Sequence, residues 1–371
     1  MRYFRPNTRH QKAKTCIHVC GGIRSRGRER IVDAFGHLTV AFAASRFRLC
    51  CEGDSEVLET RELATTGLRT SIVGFGASPL GGVFGEVTQV DADWMVRAAI
   101  DSGVNLFDVS PYYGITKAET VLGKALSGIP RDRYILATKV GRYDSASFDF
   151  SAERTAASVD ESLRRLQTDH IDLIQCHDIE FGSLDQIAEE TIPALRKLQE
   201  QGKVRYIGIT GLPLGIFKFV LDRAKVDTIL SYCHYTLYDN SLEQLLPMLN
   251  SASVGIISAA PFGMGLLTDR PLPDWHPAPE PLRQACTTAR ELCERSGVRI
   301  SQVALQYALA NPIISSTLVG MGNRKQVEEN IASAATRPDQ SLLAELHALF
   351  QDVRNLTWSS GRPENNILPL T

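Results

Sequence analysis

The 371-residue chain contains no run of about 18 apolar residues, which excludes a transmembrane helix. It also lacks the pairing of low hydrophobicity with high net charge that keeps a chain disordered: 43% of its residues are hydrophobic and the formal net charge is −2. No G-x-G-x-x-G follows the first strand-like run, and VGFGASPLGG has the wrong spacing, so the doubly wound dinucleotide fold is the lesser expectation. Eight cysteines are present but scattered: Cys16, Cys20, Cys50 and Cys51 early, then Cys176, Cys233, Cys286 and Cys293. That scatter does not resemble a disulfide framework and points to a reducing compartment. The Cys16-x3-Cys20 pair has no second pair at ligand spacing, so no metal site is expected.

Charge is spread unevenly. Residues 1–58 carry +6 and the remainder −8. An acidic body argues against nucleic acid as a partner, and nothing in it points to a membrane. The first 58 residues are rich in arginine, poor in acids and without a clean period. They read as an extension, either an organelle transit peptide or an inert segment. Residues 59–371 read as one domain.

From Glu59 onward short apolar runs alternate with amphipathic stretches: SIVGFG, NLFDVS, YILATKV, IDLIQCH, VRYIGIT, TILSYCHY, VGIISAAP and STLVGM, each followed by helical periodicity. Continuous apolar strands imply cover on both faces and hence parallel pairing. Eight such units predict a (β/α)8 barrel. ETRELATTGLRT predicts a small hairpin closing the barrel bottom, and LLAELHALFQDV one further helix outside.

Barrel enzymes place their chemistry at the C-terminal ends of the strands. Those ends carry Asp108, Tyr112 and Tyr113 in FDVSPYYG, Lys139 in ATKVGRY, and His177 and Asp178 in IQCHD. A tyrosine is a poor proton carrier near neutral pH, because its ordinary pKa is about 10. An ammonium beside it favours the phenolate, an aspartate holds the ammonium, and a histidine orients the reacting oxygen. That set suits proton transfer coupled to hydride transfer with a nicotinamide. Cys176, beside His177, reads as a buried inert thiol.

On FDVSPYYG, ATKVG, IQCHD, YIGITG and VGMGNRKQVEEN the chain resembles the aldo-keto reductase superfamily. The resemblance places the family tetrad on Asp108, Tyr113, Lys139 and His177. CHDIEFGSLDQI, GITGLPL, LSYCHYTLYDNSLEQLLP and PDWHPAP are similar to the plant-type aldose dehydrogenases that act on L-galactose. The implied activity is oxidation of L-galactose at C1 to its 1,4-lactone, a step of L-ascorbate biosynthesis, with Tyr113 as base. The alternatives are another aldose such as L-fucose or D-arabinose, an NADPH-dependent carbonyl reductase, or a non-enzymatic subunit on the same fold.

The resemblance further implies a nicotinamide cofactor lying across the barrel mouth. Gly76, Thr210, Gly211 and Tyr232 fall near its nicotinamide end. Pro261, Phe262, Gly263, Met264 and Leu266 lie where relatives wrap the pyrophosphate. Gly320, Met321, Gln326 and Asn330 lie at the adenosine end. Gly320 and Gln326 stand where NADP-binding relatives place cations, which favours NAD over NADP. Tyr113, His177 and Trp275 are the expected sugar contacts. A monomer or homodimer in the cytoplasm is implied, an organelle being the alternative if the first 58 residues are a transit peptide.

Overall fold

The structure, a computed structural model, describes residues 58–370. The basic N-terminal stretch, with its transit-peptide reading and its four cysteines, lies outside the described residues. Ten strands are present among the described residues. β1 (Thr60–Glu62) and β2 (Arg69–Ser71) form an antiparallel hairpin. β3 (Val73–Gly76), β4 (Leu106–Asp108), β5 (Ile135–Val140), β6 (Ile171–Cys176), β7 (Val204–Gly211), β8 (Thr228–Tyr232), β9 (Gly255–Ala259) and β10 (Ser316–Gly320) close into a parallel barrel. The eight expected strands are all there in the expected order, with helices between them.

Burial explains the strand pattern. Every residue of β5 and β6 is buried, because one face meets the barrel interior and the other meets helices. The interior is filled by Leu106, Ile135, Ala137, Leu173, Leu230, Ile257 and Leu318, and the hairpin adds Leu63 and Leu68 from below. Two larger apolar layers lie between strands and helices. The hairpin is pinned by Arg61. Its guanidinium donates to the carbonyls of Leu309, Asn311 and Ile314, which include the otherwise unpaired end of the helix Ile300–Leu309.

Local signals set the helix ends. Ser151 caps Ala152–Leu166 by accepting from the Arg154 amide, and Thr88 does the same for Gln89–Asp101 through Asp91. The helical stretch after β6 departs from a plain helix. Residues Ile187–Thr191 form a π turn, in which the Ile192 amide donates to Ile187. Pro193 follows, has no amide to continue the ladder, and displaces the carbonyl it would have met. Gln340–Leu349 packs outside against Glu280–Arg295, as expected for the extra helix. No helix among the described residues is long and apolar enough to cross a membrane.

The loops after β3 and β4 meet backbone to backbone. Gly114 has φ +61, and a Cβ there would stand 2.2 Å from the Gly81 carbonyl oxygen. This contact fixes the turn that carries Tyr113. Gly114→Ala is therefore expected to cost at least about 2 kcal/mol of stability, read as a lower urea midpoint. A variant that melts like the parent would show that the two loops do not meet this way.

Candidate active site

The mouth of the barrel is built from strand ends. β4 ends on Asp108, and β5 presents Lys139 one residue before its end. Both side chains are buried, and Lys139 Nζ donates to Asp108 Oδ1 at 2.5 Å and to the Val109 carbonyl at 2.9 Å. Gln175 of β6 donates to the other Asp108 oxygen at 2.9 Å. The remaining reach of the ammonium is upward, to the Tyr113 hydroxyl at 3.3 Å. His177 follows β6 directly, and its ring stands edge-on to Tyr113 with centroids 5.6 Å apart. The four residues on which the resemblance places the tetrad are thus brought together.

Burial opposes the charge of Lys139, but the Asp108 carboxylate outweighs it and holds the ammonium above the ordinary lysine range. The phenol behaves differently. Burial pushes Tyr113 up to about 12, and the pull of Lys139 only partly offsets it. The expected pull of the lysine on the phenol is present, and desolvation of the phenolate outweighs it. Burial likewise brings His177 down to about 3, so the imidazole is neutral. Its Nδ1 meets Ser110 Oγ at 2.9 Å, and Ser110 Oγ accepts from the Tyr112 amide. With that oxygen acting as acceptor, the serine proton is free to serve Nδ1. Nε2 then carries the imidazole proton and lies 3.6 Å from Asp178 Oδ2. Burial pushes the Cys176 thiol up to about 12, which fits the inert reading.

Three polar residues join this group that the strand-end argument left without roles. Asp178 adopts φ +48, pairs with Arg142, and brings Oδ2 within 3.6 Å of His177 Nε2. Arg142 lies 3.9 Å over the Tyr112 ring and beside Phe148 and Phe181. Glu180, fully buried, accepts from the Leu212 amide, the Tyr232 hydroxyl and Ser360. The signal for all three lay in the motifs GRY and CHDIEF, but only the folded loops pair them.

The other expected residues are placed as follows. Thr210 accepts from the Asp178 amide and is buried, so its hydroxyl is engaged within the protein. Gly211 turns its Cα toward Glu180 and Ile216. Gly76 ends β3, Gly320 ends β10, and Met321 is buried just beyond. Gln326 accepts from the Gly322 amide, and Asn330 is buried on the helix Arg324–Ala334. Pro261 and Leu266 are buried and Phe262 is half-buried. Trp275 is 62% exposed and stacks on His276. His276 is a buried peg whose Nε2 lies 3.0 Å from the Gly263 carbonyl and whose ring meets Trp358.

A parallel barrel whose strand ends gather a phenol, a paired ammonium and a neutral imidazole defines a barrel oxidoreductase that moves a proton at an oxygen atom. The model of the Aldo/keto reductase family matches residues 72–350. The chain belongs to that family. It is 55% identical over 317 residues to an L-galactose dehydrogenase of Arabidopsis thaliana, a match covering 83% of this chain and 99% of that one. It is 28% identical to a D-arabinose 1-dehydrogenase of Saccharomyces cerevisiae over 76% of this chain and 91% of that one. Among solved structures, the holo form of an aldo-keto reductase from Bacillus halodurans superposes with TM-score 0.68 at 29% identity, covering 83% of this chain and 99% of that one.

Aldo-keto reductases use nicotinamide cofactors. Phe262 (φ −91) is followed by Gly263 (φ +56) and Met264 (φ +53). That succession tightens the loop after β9, where the Gly263 and Gly265 amides donate to the Ala260 and Phe262 carbonyls. The helix Arg324–Ala334 follows β10, with Asn323 as its cap.

Burial, reinforced by the charge of Asp178, pushes the Glu180 carboxyl up to about 8. In the unfolded chain a glutamate titrates near its ordinary value of about 4.3. Between those values the folded protein binds more protons than the unfolded one. The stability linked to Glu180 is therefore fully present below about pH 4 and is lost as pH rises toward 8. Glu180→Gln should flatten that slope. Its unfolding free energy relative to the parent should improve by about 2–4 kcal/mol between pH 5 and pH 9 in urea melts. An unchanged slope would contradict a protonated Glu180.

Proposed function

We propose that the protein oxidises C1 of an aldohexose, L-galactose, to its 1,4-lactone, with NAD+ as hydride acceptor. The observation that carries the substrate is the 55% identity to the Arabidopsis enzyme across nearly its whole length. The reaction type is supported by the geometry around Tyr113. The sugar's anomeric oxygen sits between the Tyr113 hydroxyl and His177 Nε2. Tyr113, once it has lost its own proton to solvent, takes the hydroxyl proton as the phenolate, and Lys139, anchored by Asp108, stabilises that phenolate before the transfer. Neutral His177 donates from Nε2 to the same oxygen and sets its orientation. NAD+, when bound, would supply the carbon that accepts the hydride and a ring cation that favours the Tyr113 phenolate alongside Lys139. Holding both partners in one mouth removes the entropy cost of their meeting.

NAD rather than NADP is supported by the cations nearest the adenosine end, both of which are already engaged. Arg324 lies 3.4 Å from Asp91 and over the Trp94 ring, and Lys325 is 3.6 Å from Glu329. Trp275, exposed on the loop after β9, covers the apolar face of the sugar in this reading.

The test is NADH formation with L-galactose, L-fucose, D-arabinose and D-galactose, repeated with NADP+. L-Galactose with NAD+ should give the highest kcat/KM. Tyr113→Phe should lower kcat by about 10²–10⁴-fold and leave NADH binding, read by fluorescence, unchanged. Full turnover by Tyr113→Phe would remove Tyr113 from the chemistry, and no turnover on any sugar would remove the aldose reading.

A further inference from the structure

The Arg142–Asp178 pair has no part in the proton transfer just described, yet it is built into the same mouth. Asp178 is 6% exposed, and its backbone is in the left-handed region at φ +48, a conformation that aspartate tolerates better than most residues. The Asp178 amide donates to Thr210 Oγ1 at 2.9 Å, which ties the turn to the end of β7. Burial opposes the charge of Asp178, and the neighbouring His177 and Arg142, the latter clamped on Tyr112, outweigh it and hold the carboxyl below its ordinary range. A buried ion pair of this kind adds little to stability, since desolvation consumes most of the attraction. Its product is a fixed carboxylate at a fixed place.

That place is next to the reacting oxygen. Asp178 Oδ2 lies 3.6 Å from His177 Nε2, the atom that donates to the anomeric oxygen. A carboxylate oxygen keeps acceptor capacity beyond one guanidinium bond, and it can only accept. A sugar hydroxyl on the carbon next to C1 comes within one hydrogen-bond length of the anomeric oxygen. On the Arg142 side of His177 it meets Asp178 Oδ2.

Resting on the aldose reading above, we infer that Asp178, held by Arg142, accepts a hydrogen bond from the 2-hydroxyl of the sugar and so makes that hydroxyl a requirement of the site. The substrate class is thereby narrowed to 2-hydroxy aldoses. Asp178 is a specificity-determining residue that leaves the proton transfer to Tyr113. Aldehydes without a neighbouring hydroxyl leave its carboxylate desolvated and unmatched, which is how a polar site rejects an analogue lacking one group.

The experiment compares kcat/KM for L-galactose with that for its 2-deoxy analogue, in the parent enzyme and in Asp178→Asn, with NAD+ saturating. Differences in intrinsic reactivity between the two sugars cancel when the two ratios are compared. The parent's preference for the 2-hydroxy sugar should fall about 10- to 100-fold in Asp178→Asn, the range for a hydrogen bond to a charged group. Asp178→Ala gives the same readout if the Asn variant does not fold. NADH affinity should be unchanged in either variant. An unchanged preference in a folded variant overturns the role of Asp178 and leaves the aldose reading intact. A loss of NADH affinity with unchanged preference assigns the carboxylate to the cofactor and also overturns it. A parent enzyme that oxidises no aldose overturns both readings together.

Discussion

The ion pair between Asp108 and Lys139 is the constraint around which the mouth is organised. Neither charge tolerates burial alone, and both are buried. Their strands are adjacent and parallel, with Asp108 in register with Ala137, so the lysine two residues further along reaches back to its partner. Gln175, from the next strand, completes the carboxylate's second oxygen. Three strands are thereby locked at their ends, and the ammonium has one direction left in which to act, toward Tyr113. Stability is a minor product of such an arrangement; a fixed field at one atom is the larger one.

The same logic recurs outward from the centre in weaker form. Arg142 and Asp178 repeat it on the next loops, with aromatic rings in place of strand walls. Glu180 repeats it without a cation. Its carboxyl gathers the Leu212 amide, Tyr232 and Ser360, and its backbone carbonyl accepts from Arg362 and Asn365. The C-terminal segment is thus tied to the rim by an acid that burial keeps protonated. At the opposite end of the barrel the buried charge is spent on architecture. Asp172 takes Arg131 on one oxygen and Arg205 on the other, and Arg61 gathers three carbonyls to hold the hairpin plug.

Much of this was legible in the residues. Eight apolar runs at even spacing give the strands, since a strand buried on both faces must be apolar throughout. Ser151 marks a helix start that the structure keeps. Asp108, Lys139 and His177 were readable as a group because each stands at a strand end. The π turn before Pro193 was not readable, because a proline following helical periodicity also fits an ordinary kink. Arg142 and Glu180 escaped because a charged residue in a loop motif looks the same whether it faces water or a buried partner.

The sequence by itself determined the barrel, its closing hairpin and the four side chains at its mouth. Periodicity and strand-end position are local properties, and the parallel closed sheet converts them directly into three-dimensional neighbours. Only the tertiary structure decided the protonation of those neighbours. Burial drives Tyr113 up and His177 down, and no spacing rule reports how much water a loop excludes. The pairing of Arg142 with Asp178 and the gathering of the C-terminal segment on Glu180 were also decided there, because each joins loops from separate strands whose approach depends on how the whole barrel twists and closes.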